Sequence, residues 1–167
     1  TKVMENIYIA LENIRSLYNV GGIMRACSFF GFNNIILIGY SGTKFNFKGQ
    51  KVLHPELEKT ALGAEDDVNV TFLENNEELF HFAKDNDLKI VSIEQDSKAT
   101  MLKDWKPGDN SILVFGNEVK GVTKETLDIS DEIVEIDRLG NKSSLNVTTA
   151  NGIVLYHLGK MITARKN

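Results

Sequence analysis

Three polar, glycine-bearing islands carry the side chains that could do chemistry in this chain. The first is Asn19-Val20-Gly21-Gly22-Ile23-Met24-Arg25. Asn19 reads as the N-cap of a helix, and Arg25, six residues on, lies nearly two turns along it, so both can face one side. The second is Phe115-Gly116-Asn117-Glu118-Val119-Lys120-Gly121. Its two glycines stand five apart as in a phosphate-binding P-loop, but Val122 and Thr123 follow where Lys and then Ser or Thr are needed, so that reading fails. What remains is a loop whose glycines let backbone approach a ligand, with Glu118 placed to accept hydrogen bonds from it. The third is Leu139-Gly140-Asn141-Lys142-Ser143-Ser144-Leu145-Asn146. Ser144 and Asn146 sit where a helix should begin, and a helix N-terminus offers its orphan N–H groups to polar or anionic ligands.

Other chemistries find little support. His54, His81 and His157 lack ligand spacing, so no metal is expected, and each reads as a surface or packing residue. The single cysteine, Cys27, excludes an internal disulfide framework; it lies among Ile23, Met24, Ala26 and Phe30 at helical spacing and reads as a small buried residue. No GxGxxG follows the first strand, which argues against dinucleotide binding.

The elements that must position these islands alternate. Ile7 to Leu11 reads as a first strand, Glu12 to Tyr18 as a polar connection, and Val20 to Phe30 as a helix that Gly31 ends. Ile35 to Ile38 is a short apolar run of the kind buried on both sides of a parallel sheet. Ser41 to Gly49 reads as an exposed loop, with Lys44 and Lys48 flanking Phe45 and Phe47. A helix from Pro55 to about Leu62, a strand Val68 to Leu73, a helix Asn76 to Asp85 and a strand Leu88 to Ile93 follow. Pro107 and Gly108 turn the chain into a strand Ser111 to Phe115; Thr123 caps a short helix, Glu132 to Ile136 is the last strand and Leu145 to Ile162 a long final helix. The pattern predicts an α/β fold on a mainly parallel sheet flanked by helices, with each island following a strand or opening a helix, where α/β sheets bind ligands.

At 167 residues the chain suits one domain, 1–167, and 42% apolar with 25% charged residues is a globular composition. Neither a membrane span nor a signal peptide is expected, and a reducing, cytoplasmic location suits the cysteine usage. The net charge of −4 argues against a surface that grips nucleic acid everywhere, though not against a local basic site.

In combination and in order, NVGGIMRACSFFGF, LVFGNEVKGV and IDRLGNKSSLNVTTANGIVLY resemble the three signature motifs of the SpoU class, the TrmH-like branch of the SPOUT superfamily of RNA methyltransferases. The likeness spans essentially the whole chain. It implies an α/β-knot, with a C-terminal trefoil knot that binds S-adenosylmethionine, and a homodimer. Carried over by position, Asn19 and Arg25 are the first-motif catalytic pair, Glu118 the second-motif acid, and Ser144 and Asn146 the third-motif polar pair. The cofactor would be held mainly by backbone around Ile93, Gly116, Asn117, Gly121, Ile136, Leu139, Gly140, Ser144 and Leu145. Asp137 and Arg138 stand where the family usually has proline and methionine, and Thr148 and Thr149 replace smaller or apolar residues.

The implied reaction is methylation of a ribose 2′-hydroxyl in RNA, with tRNA ahead of rRNA. Arginine stays protonated in proteins, so Arg25 suits a clamp on phosphate and hydroxyl better than a base. Lys44, Lys48, Lys160, Arg165 and Lys166 are candidate phosphate contacts. The alternative from another class is a non-catalytic knotted module that binds RNA or cofactor; methyl transfer to RNA separates the two.

Overall fold

A computed structural model describes residues 6–166, Lys166 by its backbone alone. Strands β1 (Ile7–Glu12), β2 (Asn34–Ile38), β5 (Asn69–Leu73), β6 (Lys89–Ile93), β7 (Thr100–Met101), β8 (Ser111–Phe115) and β9 (Glu132–Glu135) form one sheet. A small hairpin, β3 (Thr43–Phe45) with β4 (Lys51–Leu53), stands apart from it. Helices are α1 (Leu17–Phe30), α2 (Glu58–Ala61), α3 (Ala64–Asp67), α4 (Asn76–Asp85), α5 (Lys124–Asp128) and α6 (Val147–Lys166).

The sheet order is β5-β2-β1-β8-β6-β9-β7, and every paired neighbour is parallel. Parallel strands buried on both faces need continuous apolar runs, and Ser111–Phe115 is buried at every position. Alternate side chains feed two cores. Ile9, Leu11, Leu37, Leu113 and Phe115 pack with Ile23, Met24 and Cys27 of α1 and with Val154, Leu155 and Leu158 of α6. Ala10, Ile36, Ile112 and Val114 pack on the opposite face with Leu79 and Ala83 of α4. The chain runs outward from β1 to β5 and then crosses back to β6; β8 afterwards enters between β1 and β6, and β9 between β6 and β7. The C-terminal ends of β6, β8 and β9 thereby become neighbours.

Several expectations need correction. α1 begins at Leu17, capped by the Ser16 hydroxyl, which accepts from Asn19 N at 3.2 Å, so Asn19 lies inside the first turn and is not the cap. Ser16 and Asn19 are equally good cap types; the apolar repeat extends one turn further back, to Leu17, and selects the earlier one. Likewise α6 begins at Val147: the Asn146 side chain accepts from Thr148 N at 2.8 Å, and Ser144 belongs to the preceding loop. Ser41 to Gly49 is no plain loop, because it contains β3, and Ser41 is fully buried, its hydroxyl donating to Leu11 O and accepting from Ile14 N at 2.8 Å each. The helix expected from Pro55 is a 3-10 turn, Pro55–Leu57, running into the short α2, which stops where Leu62 adopts a left-handed φ of 53°. β7 has two residues and no apolar pattern to betray it.

Cys27 is buried as expected, and loss of hydration pushes its thiol well up, which leaves it inert. Among the described residues no helix is long and apolar enough to cross a membrane.

Candidate active site

The loop after β8 is built by its own polar groups. Asn117 and Gly121 exchange N–H···O bonds of 3.2 and 2.8 Å. The Asn117 side-chain oxygen accepts from Val119 N and Lys120 N at 2.9 and 3.0 Å, and its amide donates to Asn13 O at 2.8 Å. The glycines are required sterically. A Cβ on Gly116 would lie 2.5 Å from Gly121 O and closer still to Gly121 C and Val122 N, while Gly121 itself holds a φ of 70°. With its polar atoms spent on the loop, Asn117 shapes the cavity wall and has little left to offer a ligand.

Glu118 leaves this loop for α1. One carboxylate oxygen accepts from Arg15 N at 2.9 Å, and the other from Ser16 N at 2.8 Å and from the Asn19 amide at 3.2 Å. It therefore satisfies orphan donors at a helix N-terminus, where an anion is favoured, and is not poised to accept from a ligand. Asn19 in turn accepts from the Thr148 hydroxyl at 3.2 Å, and Thr148 N is the donor that Asn146 caps. Glu118, Asn19, Thr148 and Asn146 thus form one chain of hydrogen bonds through all three motifs. Thr148 is the member that sequence reasoning missed: it counted as a departure, and only the approach of α6 to α1 at Gly22, where a Cβ would lie 3.2 Å from Thr148 Cγ2, shows what the hydroxyl does.

Burial alone would push the Glu118 carboxyl up, but the bonds from Arg15 N, Ser16 N, its own backbone and Asn19 outweigh it and hold the group below the usual carboxylate range. A carboxyl depressed on folding contributes stability above its unfolded value, about 4.3, and that contribution is lost as pH falls through the folded value. Glu118→Gln should therefore lower the melting temperature at neutral pH, with the gap to the parent protein closing as pH drops below about 4; a gap that persists undiminished in acid would refute the charge-assisted cap.

At the C-terminal ends of β6, β8 and β9 the three connecting loops enclose a cavity of about 630 Å³. All nine residues named for the cofactor, Ile93, Gly116, Asn117, Gly121, Ile136, Leu139, Gly140, Ser144 and Leu145, line it, as does Glu118. Leu139 is 98% and Leu145 53% exposed, so the wall offers uncovered apolar surface, and a Cβ on Gly140 would meet no protein atom within 4 Å. The Gln95 amide donates to Ser143 O, tying the loop after β6 to the loop before α6. Glu94 accepts from Val122 N at 3.0 Å and braces the loop after β8.

The expected catalytic residues do not all converge. Ser144 lines the cavity; Asn146 and Asn19 do not line it and belong to the hydrogen-bond chain; Arg25 is exposed on α1, with no ion pair or hydrogen bond among the described residues, and does not line the cavity. Six residues at 100° each leave Arg25 about 120° around the helix from Asn19, so the expectation that both face one side fails on helical geometry. Of the candidate phosphate contacts, Arg165 pairs with Asp109 at 3.3 Å, and the Lys166 side chain lies outside the described residues.

Comparisons with known proteins agree with this architecture. The 23S rRNA (guanosine-2′-O-)-methyltransferase of Salmonella typhi is 26% identical over 89% of this chain and 57% of its own length. The tRNA (guanosine(18)-2′-O)-methyltransferase of Aquifex aeolicus is 24% identical over 93% of this chain and 69% of its own. The chain spans about half the length of the curated relatives it matches. Among solved structures, the A. aeolicus TrmH/SpoU tRNA modifying enzyme superposes with a TM-score of 0.81 at 22% identity, covering 99% of this chain and 81% of that one. A SpoU methyltransferase from Streptomyces viridochromogenes in complex with AdoMet gives 0.80 at 18% identity, over 94% and 60%. A structure described by the 2-OH methylation of C/U34 on tRNA gives 0.77 at 20% identity, over 95% and 97%. The profile described as the SpoU rRNA Methylase family matches residues 6–156, and the chain, with its seven-stranded parallel sheet, belongs to that family.

Proposed function

We propose that the chain is an S-adenosylmethionine-dependent RNA methyltransferase acting on ribose 2′-hydroxyl groups. The observation that carries this reading is the cavity lined by the second and third motifs, in the loops after β8 and before α6, with the Glu118–Asn19–Thr148 chain tying both to the first motif on α1. The cavity fits the cofactor: uncovered apolar side chains at Leu139 and Leu145 suit a purine, Gly116 brings backbone close, and the space beside Gly140 is open. The AdoMet complex of the Streptomyces relative supports the same choice. When bound, S-adenosylmethionine supplies an electrophilic methyl group. The chain's own residues then orient: Ser144 borders the space beside the cofactor, and Asn19 and Asn146 fix α1 and α6 against each other. Arg25 clamps phosphate and leaves the 2′-hydroxyl proton to phosphate or water.

tRNA stands ahead of rRNA as substrate, supported by the tRNA named for a structurally similar protein that this chain covers almost end to end, and family membership supports a knotted backbone. A homodimer is the working form. Phe29 (82% exposed), Tyr156 (59%) and Ile153 (38%) leave apolar surface on α1 and α6 uncovered. Arg25 shares a helix face with Phe29 at i, i+4, which supports a position for it near the junction between copies. Calorimetry tests the cofactor half of this reading: S-adenosylmethionine should bind and S-adenosylhomocysteine compete, whereas absence of heat with either would remove it.

A further inference from the structure

The chain carries 23 acidic and 19 basic residues, yet residues 13–55 contain no carboxylate at all, only Arg15, Arg25, Lys44, Lys48 and Lys51. Charge is therefore segregated, and the β3–β4 hairpin lies in the cationic part. Its sequence alternates polar and aromatic residues with a lysine at each end, Lys44-Phe45-Asn46-Phe47-Lys48. The tip is held firmly: Asn46 N donates to Gln50 O and Gly49 N to Asn46 O, both at 2.9 Å, and the Asn46 side-chain oxygen accepts from Lys48 N and Gln50 N at the same distance. On this ordered tip Phe47 is 94% and Phe45 66% exposed. Lys48 lies 5.8 Å from the Phe47 ring centre and Lys51 5.9 Å from that of Phe45. Lys51 is committed to Glu74 and Gly39 O, whereas Lys44 and Lys48 meet no carboxylate among the described residues.

The hairpin also adjoins the active site. At its base Gly42 packs against Val20 of α1, and Tyr40, 54% exposed and three residues before β3, accepts from the amide of Asn117 in the cavity wall at 3.2 Å. A rigid, exposed ring beside unpaired cations fits a base and its flanking phosphates, because every base has a π-face and each phosphate a charge. A duplex hides its base faces in the stack. We propose that the β3–β4 hairpin is a docking platform for unpaired RNA, with a base stacked on Phe47 and phosphates held by Lys44 and Lys48, so that this chain selects its target nucleotide in a single-stranded segment. The proposal rests on the RNA methyltransferase reading.

Fluorescence anisotropy with the whole protein and a short labelled oligouridylate, alone or annealed to oligoadenylate, tests it. The single strand should bind more tightly than the duplex. Phe47→Ala should weaken single-strand binding about tenfold and Phe47→Tyr restore it. The pair Lys44→Gln with Lys48→Gln should flatten the slope of log affinity against log salt by about 1.4, two phosphate contacts on a single strand. Affinity for S-adenosylmethionine should stay unchanged in every variant, which also reports that each is folded. Equal affinity for strand and duplex, or a Phe47→Ala protein that binds RNA as the parent does, would overturn the platform. So would a Phe47→Ala effect confined to self-association in sedimentation, which would make the hairpin a contact between copies. Failure of the methyltransferase reading looks different: no cofactor binding and no transfer by the parent protein.

Discussion

Gly116→Ala should weaken cofactor binding sharply, lowering affinity for S-adenosylmethionine by up to about a hundredfold. The added methyl group would meet the Gly121 carbonyl and the Val122 amide, which are backbone and cannot swing away as a flexible side chain would. The loop after β8 must then open, and its displacement breaks the paired Asn117–Gly121 hydrogen bonds and moves Glu118 from the start of α1. Overpacking of this kind costs about 1–3 kcal/mol, and each 1.4 kcal/mol is tenfold in affinity, so a loss of both stability and binding is expected. Gly140→Ala is the matched control. No protein atom lies within 4 Å of its Cβ, so melting temperature should be unchanged and any loss of affinity reports the ligand directly. Calorimetry and thermal denaturation of both variants check this; Gly116→Ala with parental affinity would remove the claim that backbone at this position approaches the cofactor.

Arg25→Ala should reduce methyl transfer by about a thousandfold or more while cofactor affinity stays within about twofold. The side chain is exposed, has no partner among the described residues and does not line the cavity, so neither folding nor cofactor binding depends on it. Its proposed role is positioning, which can supply several kcal/mol of a barrier when reacting groups are held in register. Arg25→Lys should recover little, because an ammonium cannot reproduce the planar fork that grips phosphate at two points. Single-turnover transfer measured beside calorimetry separates the two effects, and an Arg25→Ala protein that turns over normally would exclude the arginine from the reaction.

The alternation of strands and helices was legible because parallel strands buried on both sides leave continuous apolar runs, and Ile35 to Ile38 and Ser111 to Phe115 show them plainly. The order of strands was not legible. The insertion of β8 between β1 and β6 is decided by contacts far apart in the chain, to which no local pattern is sensitive. The hairpin escaped because three-residue strands around Lys44 and Val52 carry too few positions to establish a period. At the site, the residues of the cavity wall followed from the motifs, but their roles did not. Glu118 resembles a ligand acceptor until α1, about a hundred residues away in sequence, brings Arg15 N, Ser16 N and Asn19 to its two oxygens. The role of Thr148 was hidden for the same reason, since a hydroxyl on the second residue of α6 has no visible purpose before Asn19 is placed beside it.

The cavity is proposed to serve methylation of ribose in RNA. Purified protein should be incubated with isotopically labelled S-adenosylmethionine and total RNA from cells lacking the gene, and the RNA digested to nucleosides for mass spectrometry. Label is expected in a 2′-O-methylated nucleoside, and absent when Arg25→Ala protein replaces the parent. Label on a base, or a protein that binds S-adenosylmethionine and transfers nothing to any RNA in the pool, would contradict the account.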